Sequence, residues 1–169
     1  MNKLQPYKGQ LANIKGKWAE YFSAAYALKK GYEVAMTTGG HVDLHLTDVN
    51  KNVYNVQVKT LKRGGKHYDK DGIALEYERP FTNIELYFRN NQKDKVYYVD
   101  RGIDFIVGVH PETEEQHWYS KDQLLAAYAG GSTSFNVTVV PAAGLPDAGR
   151  MKRIKQAMEI PATLEPFGI

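Results

Sequence analysis

The sequence contains no cysteine among its 169 residues, which excludes disulfides, thiol nucleophiles and zinc sites built from thiolates. It has no run of the roughly 20 apolar residues that a membrane-spanning helix requires. The N-terminal residues also lack the apolar core of a signal peptide. Internal repeats and low-complexity tracts are absent too. These absences predict a cytoplasmic protein that is not associated with a membrane.

The length favours one folded domain. We expect it to span residues 1–140, followed by a C-terminal tail over residues 141–169 that is interrupted by Pro161 and Pro166. The formal net charge is only +3, so long-range electrostatics favour an anionic partner weakly. Two clusters of cations are either phosphate-binding patches or solvated surface, and the charge pattern alone favours neither. They are Lys59, Lys62, Arg63 and Lys66, and then Arg150, Lys152, Arg153 and Lys155.

A helix is predicted from an N-cap at Asn13 to Lys29 or Lys30, with Gly31 as its stop. Its apolar residues recur at helical spacing and predict a stripe that faces the core. Glu20 lies at the margin of that stripe, where a carboxylate is partly covered yet reaches a cleft. The stripe consists of Ile14, Trp18, Tyr21, Ala25 and Leu28.

The rest of the pattern predicts an α/β domain of about four to six strands. A short helix is expected at 85–88, a second helix over 121–129 with Ser120 as its N-cap, and a basic helix over 150–158. Loop chemistry extends over 62–72. Strands are predicted at 32–36, 42–47, 53–61, 73–77, 105–109, 117–119 and 135–140.

Three polar residues on two neighbouring strands carry the chemistry. Asp43 lies on the first strand, and Gln57 and Lys59 share one face of the next because side chains of a strand alternate. Phosphodiester hydrolysis requires a divalent cation and a positive group near the attacking water. Asp43 supplies a carboxylate ligand, Gln57 a neutral amide oxygen, and Lys59 a group to orient or deprotonate the water. Glu20 is placed to hold the metal shell through water or to bind a second ion.

These residues together resemble the PD-(D/E)XK nuclease superfamily over residues 13–61. The resemblance implies an αβββαβ core with a mixed central sheet flanked by helices, and cleavage of nucleic acid with Mg²⁺, or Mn²⁺ as substitute. It implies the site roles given above for Glu20, Asp43, Gln57 and Lys59, and a metal-facing backbone carbonyl at Val58. The segments that carry it are Gly16-x-x-Ala19-Glu20, Gly31-Tyr32-Glu33-Val34, Val42-Asp43-Leu44 and Gln57-Val58-Lys59.

Two positions differ from the family pattern. Val42 replaces the proline, which is not a ligand. Gln57 stands where the family usually has Asp or Glu, so the site loses one negative charge and is expected to hold metal less tightly. Glutamine here resembles the bacterial group I intron homing endonucleases of this superfamily, which implies a sequence-specific homing enzyme. A structure-selective nuclease of the Holliday-junction-resolvase kind, a restriction enzyme and a DNA-binding protein with a vestigial site remain alternatives.

The expected partners are double-stranded DNA and further copies of the chain, as a homodimer or homotetramer, because one small core has one active site and a duplex has two strands. His41 and His67 are expected to have no role. The tail is a further candidate for contacts with DNA or between subunits. The candidate DNA-binding residues are Lys62, Arg63, Lys66, Arg89, Asn91, Arg150, Lys152 and Arg153.

Overall fold

A computed structural model describes residues 5–61, 66–68, 70–78, 81–91, 93–111 and 114–138. Within these ranges the chain forms two α-helices, eleven β-strands and one 3-10 helix. Their bounds in chain order are α1 (Gln5–Lys29), β1 (Glu33–Met36), β2 (Leu44–Thr47), β3 (Val53–Thr60), β4 (Lys66–Tyr68), β5 (Ala74–Glu78), β6 (Phe81–Glu85), β7 (Tyr87–Asn90), β8 (Asp94–Tyr97), the 3-10 helix (Tyr98–Arg101), β9 (Phe105–Val109), β10 (Gln116–Ser120), α2 (Lys121–Ala129) and β11 (Ser134–Thr138).

The central sheet has five strands in the order β1-β2-β3-β9-β10. Only the β3–β9 pair in this sheet is parallel, so the sheet is mixed, as predicted. The turn between β2 and β3 is closed by Asp48, whose carboxylate accepts hydrogen bonds from the backbone and side-chain amides of Asn52 at 2.9 and 2.8 Å. This turn sets the β2–β3 register and thereby places Leu44 opposite Val56.

The connection from β3 to β9 differs from the expected αβββαβ order. In its described residues it carries strands β4 to β8 and the 3-10 helix, with no α-helix; α2 follows β10 instead. The short helix predicted at 85–88 is wrong, because β6 ends at Glu85 and β7 begins at Tyr87. Pairing with β11 on one side and with β8 on the other overrides the weak local helical pattern. Strand β4 likewise falls inside the predicted loop.

Most other predicted elements are confirmed with small shifts of their bounds. Helix α2 begins at the predicted N-cap, where the hydroxyl of Ser120 accepts from the backbone of Gln123 and the Gln123 side chain accepts from the backbone of Ser120. Strands β1, β2, β3, β5, β9, β10 and β11 correspond to the predicted strands. Residues 139–140, the predicted tail over 141–169 and its basic helix over 150–158 lie outside the described residues.

Helix α1 ends where predicted but begins earlier. It starts at Gln5 rather than after an N-cap at Asn13. At its end, the backbone amide of Gly31 donates to Leu28 at 3.0 Å and that of Tyr32 donates to Ala27 at 3.1 Å. Gly31 has a φ of 93°, the left-handed conformation in which glycine ends helices without steric cost.

The predicted buried stripe of α1 is wrong for four of its five members. Ile14, Tyr21 and Leu28 are 62%, 61% and 58% exposed, and Ala25 is exposed too. Only Trp18 is half-buried, stacked on Phe22 with ring centroids 5.2 Å apart. The helix buries small side chains instead, because these allow its backbone to approach the sheet closely. The buried members are Ala19, Ser23, Ala24 and Ala27.

Two hydrophobic layers cover the two faces of the sheet. One joins the small side chains of α1 to β2, β3 and β9 through Leu44, Val56 and Val107. The other lies on the opposite face and includes Ile84, Tyr98, Ile106 and Leu124. Gly108 in β9 permits the close packing of the second layer, since a Cβ there would lie 2.7 Å from Ile84 Cδ1 and 2.8 Å from Leu61 Cδ2.

Candidate active site

Asp43 lies at the point where the β2–β3 ladder ends. Its backbone amide donates to the Val56 carbonyl at 2.8 Å, and the last strand pair is Leu44–Val56. One residue beyond that pair, the Asp43 carboxylate, and not a backbone carbonyl, accepts the next hydrogen bond from β3. Its Oδ2 accepts the backbone N–H of Val58 at 2.7 Å. The end of strand β2 therefore fixes a carboxylate against the middle of β3.

Gln57 lies directly beside this carboxylate and is only 8% exposed. Its Nε2 donates to Asp43 Oδ2 at 2.6 Å and to the Val58 carbonyl at 3.2 Å. The amide nitrogen thus sits between the two oxygens that were expected to face a metal. Turning the amide by 180° would present its Oε1 to the same place, because the two ends of an amide differ only in donor and acceptor character.

Lys59 shares the face of β3 with Gln57, as the strand alternation predicts. Its Nζ donates to the hydroxyl of Tyr98 at 2.6 Å. Tyr98 is 3% exposed and begins the 3-10 helix that precedes β9. Sequence reasoning missed Tyr98, because it is 39 residues from Lys59 and belongs to no motif that links the two. Within the described part of the chain, it is the hydrogen-bond partner that holds the Lys59 ammonium.

Glu20 lies on α1, which packs against the face of the sheet opposite to Gln57 and Lys59. Its carboxylate is partly covered and pairs with Lys17 at 2.6 Å. Lys17 is a cation that sequence reasoning also missed. Its spacing of i, i+3 from Glu20 on one helix was the available signal. The Glu20 carboxylate raises the pKa of the exposed Lys17 ammonium.

The charged groups near Asp43 include two of the predicted residues, Glu20 and Lys59, and also Lys17. Burial raises the pKa of the Asp43 carboxyl, and the Val58 N–H opposes this rise. The nearby negative charge of Glu20 adds to the increase in pKa, while the ammonium groups of Lys59 and Lys17 reduce it. We call Glu20, Asp43, Gln57 and Lys59 the Asp43 site.

The atoms of the Asp43 site that could bind a metal ion are all oxygens. Within the described residues no three His, Cys, Asp or Glu side chains form a group that could hold a metal ion. The available donors are two carboxylates, the Val58 carbonyl and the Gln57 amide oxygen after rotation. Asp43 Oδ2 and the Val58 carbonyl already converge on one N–H donor. This set fits Mg²⁺, which prefers oxygen ligands and keeps several waters.

The predicted DNA-binding residues are only partly described. Arg89 and Asn91 are exposed, the first on β7 and the second in the turn that follows. Lys66 lies in β4. His41 stacks on Phe88 with ring centroids 3.7 Å apart, so it borders the site. Outside the described residues lie Lys62, Arg63, Arg150, Lys152 and Arg153.

The mixed five-stranded sheet and the helices α1 and α2 define a mixed α/β fold. A solved structure titled as that of a bacterial homing endonuclease, I-Ssp6803I, is similar to this chain with a TM-score of 0.53. The likeness covers 87% of this chain and 95% of the other at 18% sequence identity, so it shows a common fold. No protein-family model and no curated protein match the sequence. None of the helices in the described ranges has the length and apolarity needed to cross a membrane.

Proposed function

We propose that the protein is a metal-dependent endonuclease that hydrolyses phosphodiester bonds of double-stranded DNA, of the sequence-specific homing type. The observation that carries this proposal is the hydrogen bond from Gln57 to Asp43, with Lys59 on the same face of β3 and its ammonium near enough to lower the pKa of the Asp43 carboxyl. The fold supports it, because the similar structure is titled as a homing endonuclease. A working enzyme of this kind would be a homodimer or homotetramer in the cytoplasm, with one Asp43 site for each DNA strand.

The residues of the Asp43 site divide the work of hydrolysis. Bound Mg²⁺, or Mn²⁺ in its place, neutralises phosphate charge and lowers the pKa of a coordinated water. Asp43 and the Val58 carbonyl would hold the ion, with the Gln57 amide oxygen as a neutral third donor. Glu20 would bind the outer shell through water. Because residue 57 is a glutamine, the site carries one negative charge less than it would with Asp or Glu at this position.

Lys59 would orient the attacking water and stabilise the charge that develops on the phosphate. An ammonium has three donors, and Tyr98 takes one of them. The hydroxyl of Tyr98 thereby fixes where the other two point. An ammonium held by a hydrogen bond loses less by reorganisation during the reaction than a mobile one.

The proposal is tested by digestion of DNA with the purified protein and Mg²⁺, with cuts mapped to the nucleotide. The substrates are a plasmid library with randomised target sites, a linear duplex and a four-way junction. We expect a unique cut in a duplex, and Asp43→Ala or Lys59→Ala to lower its rate by about 100-fold or more. Lys29→Ala, which removes a cation at the far end of α1, is the matched control and should cleave normally.

Each other outcome identifies a different function. Preference for the junction whatever its sequence would indicate a structure-selective nuclease. Undiminished cleavage by the Asp43→Ala protein would show that the chemistry occurs elsewhere.

A DNA-binding protein with a vestigial site is the second candidate, and one observation favours it. The Gln57 amide already satisfies the two oxygens that a cation would need. This reading predicts salt-dependent binding of DNA without cleavage in Mg²⁺ or Mn²⁺, and no activity after Gln57→Glu.

A further inference from the structure

The strands β7 and β8 form a hairpin whose tip is polar on all sides. The exposed residues near the tip comprise three cations, one acid and two amides. The turn is closed by the Lys93 amide, which donates to the Asn90 carbonyl at 3.1 Å, and Asn91 has a φ of 49°. Asparagine tolerates this conformation better than most residues. The six exposed residues are Arg89, Asn90, Asn91, Lys93, Asp94 and Lys95.

One face of the β7–β8 hairpin is anchored to the Asp43 site. Phe88 stacks on His41 at 3.7 Å and lies 5.4 Å from the ring of Tyr98, measured between centroids. Tyr98 in turn accepts the hydrogen bond from Lys59. An unbroken series of contacts therefore connects the hairpin to the candidate catalytic amine, and the hairpin has a defined position relative to the site.

The other face presents two cations side by side. Arg89 and Lys95 are directly opposite each other in the β7–β8 register. Both lie near the ring of Tyr87, at 5.8 and 4.8 Å from its centroid. Like charges directly opposite on neighbouring strands destabilise a sheet. The repulsion between Arg89 and Lys95 destabilises the free hairpin, and a bound polyanion would relieve it.

We propose that the β7–β8 hairpin is the element that enters the major groove of duplex DNA, with Arg89 and Lys95 as its principal contacts. This inference rests on the proposed function. A two-stranded ribbon fits the major groove, which is about 12 Å wide. Arginine pairs with guanine and asparagine with adenine at the base edges. The contact through Phe88 and Tyr98 then sets the distance between the bound sequence and the scissile phosphate.

The test is binding of a fluorescent 40-base-pair duplex of mixed sequence, measured by anisotropy in EDTA so that no cleavage occurs. The salt concentration is varied for the native protein and for Arg89→Ala/Lys95→Ala. On this duplex of mixed sequence, without a cognate site, the two cations meet phosphates, and each lost phosphate contact reduces the slope of log K against log salt by about 0.9, so we expect the double variant to lower it by about 2. A slope equal to that of the native protein would overturn the proposal.

The matched control is Lys29→Ala/Lys51→Ala, which also removes two positive charges but at other positions. Lys29 ends α1 and Lys51 lies in the β2–β3 turn, at the opposite end of β3 from Lys59. An equal loss of slope in this control would show that only net charge matters, and would overturn the proposal. Stronger binding to duplex RNA than to duplex DNA would overturn it as well.

A second variant separates DNA contact from folding. Arg89→Glu places an acid opposite Lys95, so the thermal midpoint should stay equal or rise while the affinity for DNA falls. A large drop in the midpoint together with the loss of binding would assign Arg89 a structural role and overturn the proposal.

Failure of the hairpin proposal and failure of the proposed function give different results. If the native protein binds duplex DNA through the hairpin but never cleaves it with Mg²⁺, the hairpin proposal stands and the nuclease proposal falls. If the native protein binds no duplex in EDTA yet cleaves duplex DNA with Mg²⁺, the hairpin proposal is wrong and the nuclease proposal stands.

Discussion

Gln57 determines how much negative charge surrounds the Asp43 carboxylate. With an amide at this position, the metal-free site contains a donor that hydrogen-bonds Asp43 and the Val58 carbonyl. A carboxylate there would place two acids in contact, and one of them would have to bind a proton or a cation. The glutamine therefore stabilises the site without metal and weakens its demand for one.

Gln57→Glu should reverse this balance. Loss of the buried hydrogen bond costs about 1–3 kcal/mol in the metal-free protein. The thermal midpoint in EDTA should fall by about 2–4 °C for each kcal/mol in a chain of this size. Added Mg²⁺ should then raise the midpoint more than it does in the native protein, because binding stabilises the folded state. Both midpoints are read from thermal melts.

Gln116→Glu is the matched control for this experiment. Gln116 lies on the edge strand β10, where its side chain accepts from the Trp118 indole at 3.0 Å and donates to the Phe22 carbonyl at 3.4 Å. Gln116→Glu therefore also loses one amide donor, but on a strand that does not pair with β3. Its response to Mg²⁺ should equal that of the native protein. A Gln57→Glu protein with an unchanged midpoint in EDTA and an unchanged response to Mg²⁺ would contradict the assigned role.

Helix α1 shows where sequence patterns can mislead at the scale of an element. The apolar residues at 3–4 spacing predicted the wrong buried face, while three alanines and a serine form the real one, with Trp18, Phe22 and Tyr26 partly buried beside them. A helix with two apolar faces has no single face that periodicity identifies. The face with small side chains is buried because it lets the helix approach the sheet closely. Periodicity does not reveal this, since it depends on tertiary packing.

A substitution on the outer face of α1 should cost much less stability than one in the hydrophobic layer beneath the helix. Ile14→Ala should change the free energy of unfolding by less than about 0.5 kcal/mol, since the side chain is mostly exposed. Leu44→Ala, in the buried layer beneath the helix, should cost about 2–5 kcal/mol. Urea unfolding at two protein concentrations measures both. A cost above about 2 kcal/mol for Ile14→Ala would mean that the side chain is covered in solution.

The sequence was most informative where strand alternation and turn chemistry act locally. Those rules predicted the β2–β3 hairpin and placed Asp43, Gln57 and Lys59 together. They did not predict the contact of Lys59 with Tyr98 or the strands β4, β6, β7 and β8, and long-range contacts decide the first and the pairing of β6. The β6–β11 pair, for example, joins residues about 50 positions apart.

At the scale of the whole molecule, the Asp43 site makes stability depend on pH. Burial raises the pKa of the Asp43 carboxyl above its ordinary value, so the folded protein binds a proton at this group more tightly than the unfolded chain does. Stability then falls as pH rises from the ordinary carboxyl pKa through the raised one. At neutral pH the metal-free protein carries the full cost of the buried charge.

Asp43→Asn should therefore stabilise the metal-free protein at pH 7 and do so less at pH 4. Asparagine keeps an acceptor for the Val58 amide and removes the charge. Thermal melts in EDTA at the two pH values give the comparison. A gain from Asp43→Asn that is larger at pH 4 than at pH 7 would reverse the expected sign.

The two apolar faces of α1 also have a consequence for how the chain folds. The outer face carries Tyr21 and Leu28, while Trp18, Phe22 and Tyr26 pack on the core beside the small side chains, so early collapse should bury the outer face first in a fraction of the chains. In those chains the helix would have to rotate about its own axis to reach its native packing against the sheet. Stopped-flow refolding should show this as a transient protection of Tyr21 that is lost as the native state forms.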